Sequence, residues 1–213
     1  MKLVFGVTVS DELEELQRLI PYLQEHKIKD SEIVVLADNL TVTKEVLDYL
    51  DIKGVPHYAK NLNNNFGEFK TALNVICKDL HKADYIFQID ADEIPSYVLV
   101  KNIYMIIEWN PDVDVFFVPR KNRVDGITDE LLKEWKWAFN PKTHLINYPD
   151  YQGRIYKSHL KWVGKVHERL DMETYVWLPK DDDLYLMHDK KIEKQIKQNN
   201  FYKNINDGDD TFI

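Results

Sequence analysis

Cysteine is all but missing from these 213 residues, where Cys77 stands alone. An internal disulfide is excluded, and the composition suits a reducing compartment. Glycine is scarce as well. The seven present include none at the spacing of a phosphate-cradling P-loop or a dinucleotide fingerprint. No apolar run approaches the length that crosses a bilayer. Residues 3–9 are apolar, but they are too few for a secretory core and no small-residue cleavage site follows them. The expectation is a cytoplasmic chain without stable membrane insertion. A positive charge excess is also lacking. The formal net charge of −8 and pI near 5.4 argue against a protein that binds nucleic acid through a basic surface.

What is present is an ordinary soluble composition, 44% hydrophobic and 30% charged, sufficient for a sizeable core. No internal repeat or low-complexity linker divides the chain, so one domain over residues 1–213 is expected. Residues 2–9, 32–37 and 55–59 read as strands. Between them, residues 13–23 and 46–50 carry apolar side chains at helical spacing, with Ser10 and Thr41 or Thr43 as caps. Phe66, Phe69, Leu73, Ile76, Cys77 and Leu80 form the apolar face of a third helix. Strand and helix alternate through the first ninety residues, which predicts right-handed βαβ units in a mainly parallel sheet flanked by helices. After residue 95 the pattern is a helix over 97–109, a strand over 113–118, and then short strand candidates at 144–147, 154–156, 161–163, 175–178 and 184–187 among many aromatics. The expected fold class is therefore α/β, with a smaller antiparallel part in the C-terminal half and a Lys-rich surface helix from 189 to 204.

The chain converges on Tyr85-Ile-Phe-Gln-Ile-Asp-Ala-Asp-Glu93. A hydrophobic strand ends there in Asp90, Asp92 and Glu93, and in open α/β sheets ligands bind at that edge. Clustered acids at the end of a buried strand need a cation. A hard divalent ion carrying a phosphorylated ligand answers both observations. Upstream, Lys70 and Asn74 lie one helical turn apart on the face opposite Phe69 and Leu73, a spacing that would direct both into the cleft. Cys77 falls on the apolar face and reads as core. Asp181, Asp182 and Asp183 follow Pro179-Lys180 and read as a solvated turn.

A βαβαβαβ half ending in Asp-Ala-Asp-Glu resembles the family 2 glycosyltransferases of the GT-A fold. The similarity extends to Asn65-Phe-Gly-Glu-Phe-Lys-Thr-Ala-Leu-Asn74. Downstream, Tyr151-Gln-Gly-Arg-Ile-Tyr156, Trp162-Val-Gly-Lys-Val-His-Glu168 and His188 resemble a bacterial and phage subgroup with a Val-His-Glu segment and a closing histidine. The resemblance implies a GT-A-like, Rossmann-type fold with a nucleotide-sugar-binding half (residues 1–95) and an acceptor-side half with a closing helix (96–213). It further implies metal-dependent, inverting transfer of a sugar from a UDP-linked nucleotide diphosphate sugar to a saccharide or glycoconjugate hydroxyl.

By the same resemblance, Thr8, Val9, Ser10 and Asp38 hold the base and ribose. Lys70, Asn74, Asp90, Ala91 and Arg154 complete the donor site, and the guanidinium of Arg154 (and less so Arg120 and Arg123) suits a bidentate clamp on diphosphate or on an anionic acceptor. Asp92 and His188 ligate Mn²⁺ or Mg²⁺, with Glu93 behind them. Glu168 takes the acceptor proton, with Asp125, Asp150 and Asp171 in reserve, and Trp162 offers a stacking face. Two other readings use the same residues: a haloacid dehalogenase-type phosphatase, which also places Asp-x-Asp after a hydrophobic strand, and a non-catalytic nucleotide- or saccharide-binding module.

Overall fold

The computed structural model describes residues 1–205. The end of the expected domain, residues 206–213, lies outside the described residues. The predicted alternation is realised as β1 (Leu3–Val9), α1 (Leu13–His26), β2 (Glu32–Asp38), α2 (Lys44–Ile52), β3 (His57–Lys60), α3 (Phe66–Val75) and β4 (Tyr85–Asp90). A π-helical turn, Ile76–Leu80, continues α3. Strands β1 to β4 pair in parallel in the order β3-β2-β1-β4, so Thr8 and Asp90 end side by side. β5 (Glu93–Pro95) and α4 (Tyr97–Glu108) follow.

Thr43, Asn65 and Ser96 cap α2, α3 and α4 by accepting from the amides of Val46, Glu68 and Leu99. Each such cap contributes about 1 kcal/mol. Ser10 departs from expectation. The cap position of α1 belongs to Glu12, whose carboxylate accepts the Ser10 amide at 2.7 Å, and the Ser10 hydroxyl bonds that of Thr41.

The second half is β6 (Val115–Asp125), α5 (Asp129–Glu134), β7 (Phe139–Asn140), β8 (Leu145–Lys157), β9 (Trp162–Val163), β10 (Arg169–Leu170), β11 (Tyr175–Trp177), β12 (Leu186–Lys191) and α6 (Ile192–Ile205). Two strand candidates, 144–147 and 154–156, are the ends of the single strand β8. The residues between them include Pro149 and Gly153, which weaken a strand reading. β8 runs antiparallel between β4 and β6 and extends the same sheet, while β11 and β12 pair with β6 in parallel. Among the described residues, only β9 and β10 form a separate antiparallel pair.

The sheet buries both faces. One carries Leu16, Leu19, Ile20 and Leu23 of α1 and Leu99, Val100 and Ile103 of α4 against Phe5, Val7 and Phe87. The other carries Phe69, Leu73 and Cys77 against Val4, Ile86, Tyr156 and Trp162. Leu80, expected on that apolar face, is exposed instead. Burial pushes the Cys77 thiol up to about 12, consistent with a core residue and not a nucleophile.

Candidate functional site

Asp90 and Asp92 share a sheet edge but not a set of partners. The chain turns at residues 91–92, so strand periodicity no longer applies and the two carboxylates separate. Asp90 accepts from Thr8 Oγ1 at 2.9 Å, Gln88 Nε2 at 2.9 Å and Arg154 Nη2 at 2.6 Å. Burial opposes its charge, but Arg154 and Lys70 outweigh burial and hold the carboxyl well below the usual range. Glu93, fully buried, takes Arg154 Nη2 at 2.6 Å and Arg120 Nη1 at 3.0 Å on one oxygen and the Asp90 amide on the other. Arg120 continues to Asp150 at 2.6 Å.

Arg154 therefore lies inside the site. It is 2% exposed and committed to Gln88, Asp90 and Glu93, with only its Nε lacking a partner among the described residues. The expected diphosphate clamp is an internal counter-ion. Asp38 is similarly committed. Its carboxylate accepts from the amides of Leu40 and Leu62 and the hydroxyl of Thr41, which ties together the loops after β2 and β3. The side chains of Val9 and Ala91 are buried, and the Ala91 amide donates to Thr8 O.

Lys70 and Asn74 both point inward. Lys70 Nζ pairs with Glu168 Oε1 at 2.5 Å, stands 4.0 Å from Asp90 and lies 4.9 Å above the Trp162 ring. Asn74 does not reach the cleft. Its amide donates to Leu160 O at 2.9 Å and accepts from the Tyr156 hydroxyl at 2.8 Å. Trp162, buried and donating to that same hydroxyl, is core and not a stacking face. Among the reserve acids, Asp125 and Asp171 are exposed and Asp150 is bound to Arg120 and Asn122.

The loop bearing Glu168 is seated on the start of α3 by a close approach. The Phe66 amide donates to Lys165 O at 2.9 Å, and a Cβ on Gly67 would stand 2.3 Å from Gly164 O. Gly67→Ala must push that backbone away. We expect a loss of about 1–3 kcal/mol in urea denaturation, together with displacement of Glu168 from Lys70. Stability equal to the parent would show that the loop yields freely.

Asp92 faces a different group. His188 Nε2 lies 3.4 Å from its Oδ2, and Lys190 and Lys194 Nζ each lie 3.5 Å from it. Lys194 also reaches Glu15 at 3.2 Å and Glu12 at 3.6 Å. Asn122 donates to Asp150 and presents its carbonyl oxygen to His188 Nδ1 at 2.8 Å, which leaves Nε2 turned towards Asp92.

The acids are thus largely matched by the chain's own cations. Glu12, Glu15 and Asp92 meet Lys190 and Lys194, while Asp90, Glu93, Asp150 and Glu168 meet Lys70, Arg120 and Arg154. Each set keeps one negative charge in excess. No cluster of three His, Cys, Asp or Glu donors occurs among the described residues. Asp92 and His188 are the residues that could hold a divalent ion, which would have to share the Asp92 oxygen already met by Lys190 and Lys194.

Lys190, Lys194, Gln88 and Asn122 escaped the sequence reading. The lysines sit in a Lys-rich segment that resembles a solvated helix, although Lys190 is buried. Exposed Arg18 and half-buried Ile94 also line the cleft beside Asp92.

Two carboxylates outside the donor pair set an acid limit on stability. Burial opposes ionisation of Asp114, but Lys157 and the amides of Thr174 and Glu173 outweigh it and bring the group down to about 2. Asp150 is lowered in the same way, by Arg120 and Asn122 against its burial. Their stabilisation is present above the unfolded value of about 4 and is lost as pH falls through the folded values. The urea midpoint is expected to hold from pH 7 to 5 and to fall below about pH 4. A midpoint unchanged at pH 3 would contradict these pairings.

No protein-family model matches the chain, and no curated protein matches it. Solved structures do. S. aureus TarS 1–349 in complex with UDP-GlcNAc aligns at TM-score 0.60 and 15% identity, covering 89% of this chain and 59% of that one. S. aureus TarS 1–349 in complex with UDP aligns at TM-score 0.56 and 12% identity, covering 92% and 63%. The chain therefore spans about three fifths of the TarS 1–349 structures it matches. At these identities the likeness is one of fold: a GT-A-like α/β architecture with a mainly parallel central sheet flanked by helices and a small antiparallel sheet.

Proposed function

We propose that the chain is a metal-dependent, inverting glycosyltransferase that moves a sugar from a nucleotide diphosphate sugar, UDP-linked, to a hydroxyl of a saccharide or glycoconjugate acceptor. The observation that carries this reading is the juxtaposition, at one sheet edge, of the Asp92–His188 donor pair with Asp90 and a carboxylate, Glu168, held by Lys70. The fold supports it, since the similar TarS structures were solved with UDP-GlcNAc and with UDP.

Residues 1–95 hold the nucleotide, with Thr8, Ser10 and Asp90 at the strand ends. The rest of the chain serves the acceptor. In the transfer, Glu168 accepts the proton of the attacking hydroxyl, whose oxygen forms the new bond to the anomeric carbon. The old bond from that carbon to the diphosphate breaks, and its electron pair leaves with the nucleoside diphosphate. Lys70 fixes the direction of the Glu168 carboxylate. Mn²⁺ or Mg²⁺ held by Asp92 and His188 would supply positive charge to the departing diphosphate.

The test is thermal stability across a panel of nucleotide diphosphate sugars, with and without Mn²⁺. A donor at about a hundred times its dissociation constant adds roughly 2.7 kcal/mol, a readable shift. We expect a Mn²⁺-dependent shift with a UDP-sugar that Asp92→Asn abolishes. No shift with any donor would overturn the proposal. A shift with no turnover on any acceptor would leave a non-catalytic binding module.

A further inference from the structure

Beside the loop that carries Glu168, the sheet presents an aromatic surface that nothing in the transfer step uses. β11 pairs with β6 so that Trp177 lies opposite Phe117 and Tyr175 opposite Val115, while Val176 between them turns into the core. The Trp177 and Phe117 rings stack, with centroids 5.4 Å apart and planes at 19°. Tyr151 meets Trp177 edge-on at 4.5 Å, and Tyr175 meets Phe117 at 5.7 Å. Trp177 and Tyr175 are each 53% exposed, so two large rings that could have been buried face solvent.

This surface and the hairpin that carries Glu168 are packed on the same buried cluster, which includes Val115 and Leu170. A Cβ built on Gly153 would touch Val115 and Phe117 on one side and Leu170 on the other, at 3.2, 3.6 and 3.7 Å. Leu170 belongs to β10, two residues beyond Glu168. Having no side chain, Gly153 lets Phe117 and the Glu168 hairpin pack close to one another.

Resting on the glycosyltransferase reading, we propose that Trp177, supported by Phe117, Tyr151 and Tyr175, is an acceptor subsite that stacks a sugar ring remote from the reacting hydroxyl. Aromatic faces carry negative charge density, which the C–H face of a pyranose complements, and a tyrosine hydroxyl at the margin suits a partner that is apolar on one face and wet at its edge. The occupant is an oligosaccharide, because two half-open aromatic rings match the apolar faces of successive sugar units. A sugar bound here anchors the chain while the next units extend towards Glu168. Binding energy from such a remote unit helps orient the reacting group.

The experiment titrates chitohexaose, cellohexaose and maltohexaose into the parent protein, Trp177→Ala, Trp177→Phe and Tyr175→Ala, and measures UDP-sugar binding separately by thermal shift. We expect one hexasaccharide to bind the parent, with an affinity loss of at least about tenfold in Trp177→Ala and nucleotide affinity unchanged. Trp177→Phe, which keeps a stacking face, should stay within about threefold of the parent. Tyr175→Ala gives the same direction of loss should Trp177→Ala fail to fold. The subsite is overturned if the parent binds a nucleotide sugar but no hexasaccharide, or if Trp177→Ala binds as the parent does. If neither nucleotide sugar nor hexasaccharide binds the parent, the glycosyltransferase reading falls and the subsite with it.

Discussion

Arg154→Ala is expected to lower the free energy of unfolding by about 3–5 kcal/mol, the cost of leaving a buried charge uncompensated. Against a total stability of about 5–15 kcal/mol, such a loss brings the protein close to the unfolding threshold. The size follows from the placement of the side chain. Arg154 and Glu93 are both shut away from water, and Arg154 holds Asp90 as well as Glu93 at 2.6 Å. Without the guanidinium, Glu93 keeps Arg120 as its one counter-ion among the described residues, and the Gln88 carbonyl loses its donor. Lysine carries the charge but not the fork, so Arg154→Lys should fall between the parent and Arg154→Ala. Urea denaturation at pH 7 of Arg154→Ala, Glu93→Ala and the double variant measures the coupling. A loss below about 1 kcal/mol in Arg154→Ala would show that the acids are neutralised by other means.

Glu168→Gln carries the largest expected effect on turnover, a fall of about 10²–10⁴-fold in transfer rate with donor binding retained. The amide is nearly the same shape, so the hairpin keeps its seat on Gly67 while the proton acceptor is lost. Lys70 is then left with Asp90 at 4.0 Å as its remaining acid. Rates would be read as nucleoside diphosphate release with the donor selected by the thermal-shift panel. Lys70→Met should lower the rate through loss of Glu168 positioning, and the double variant should be little worse than Glu168→Gln alone, as expected of residues acting as a unit. A Glu168→Gln variant with parental turnover would move the base to another acid, with Asp150 the first to test.

The N-terminal half was legible because its signals are local. Val, Ile and Phe runs alternate with helical spacing, Thr43 announces α2, and the acids stand where β4 stops. The partners of those acids were not legible. Arg154 reads from sequence as a cation on a polar strand, equally free to meet a phosphate or an acid. The choice is made by β8 lying antiparallel to β4, a pairing between residues some seventy positions apart. Lys190 and Lys194 were hidden for a similar reason, since local composition reports a lysine-rich helix and not that the end of β12 and the first turn of α6 bring these two residues to Asp92. The aromatics show the same limit. Trp162 and Trp177 look alike in a sequence, yet one is hydrogen-bonded in the core and the other lies half open on the sheet.

The ion pairs of Lys194 tie the site to the order in which the chain is made. This residue joins Glu15, 179 positions earlier, to Asp92. While the ribosome has delivered only the first half, β1 to β4 can pair, but their acidic edge still waits for Arg154 and then for Lys190 and Lys194. The edge that would receive a charged donor is thus the last to be balanced. Contacts of such long sequence separation are slow to close. A nascent chain halted before β12 would keep its parallel core yet present Asp92 without its lysines.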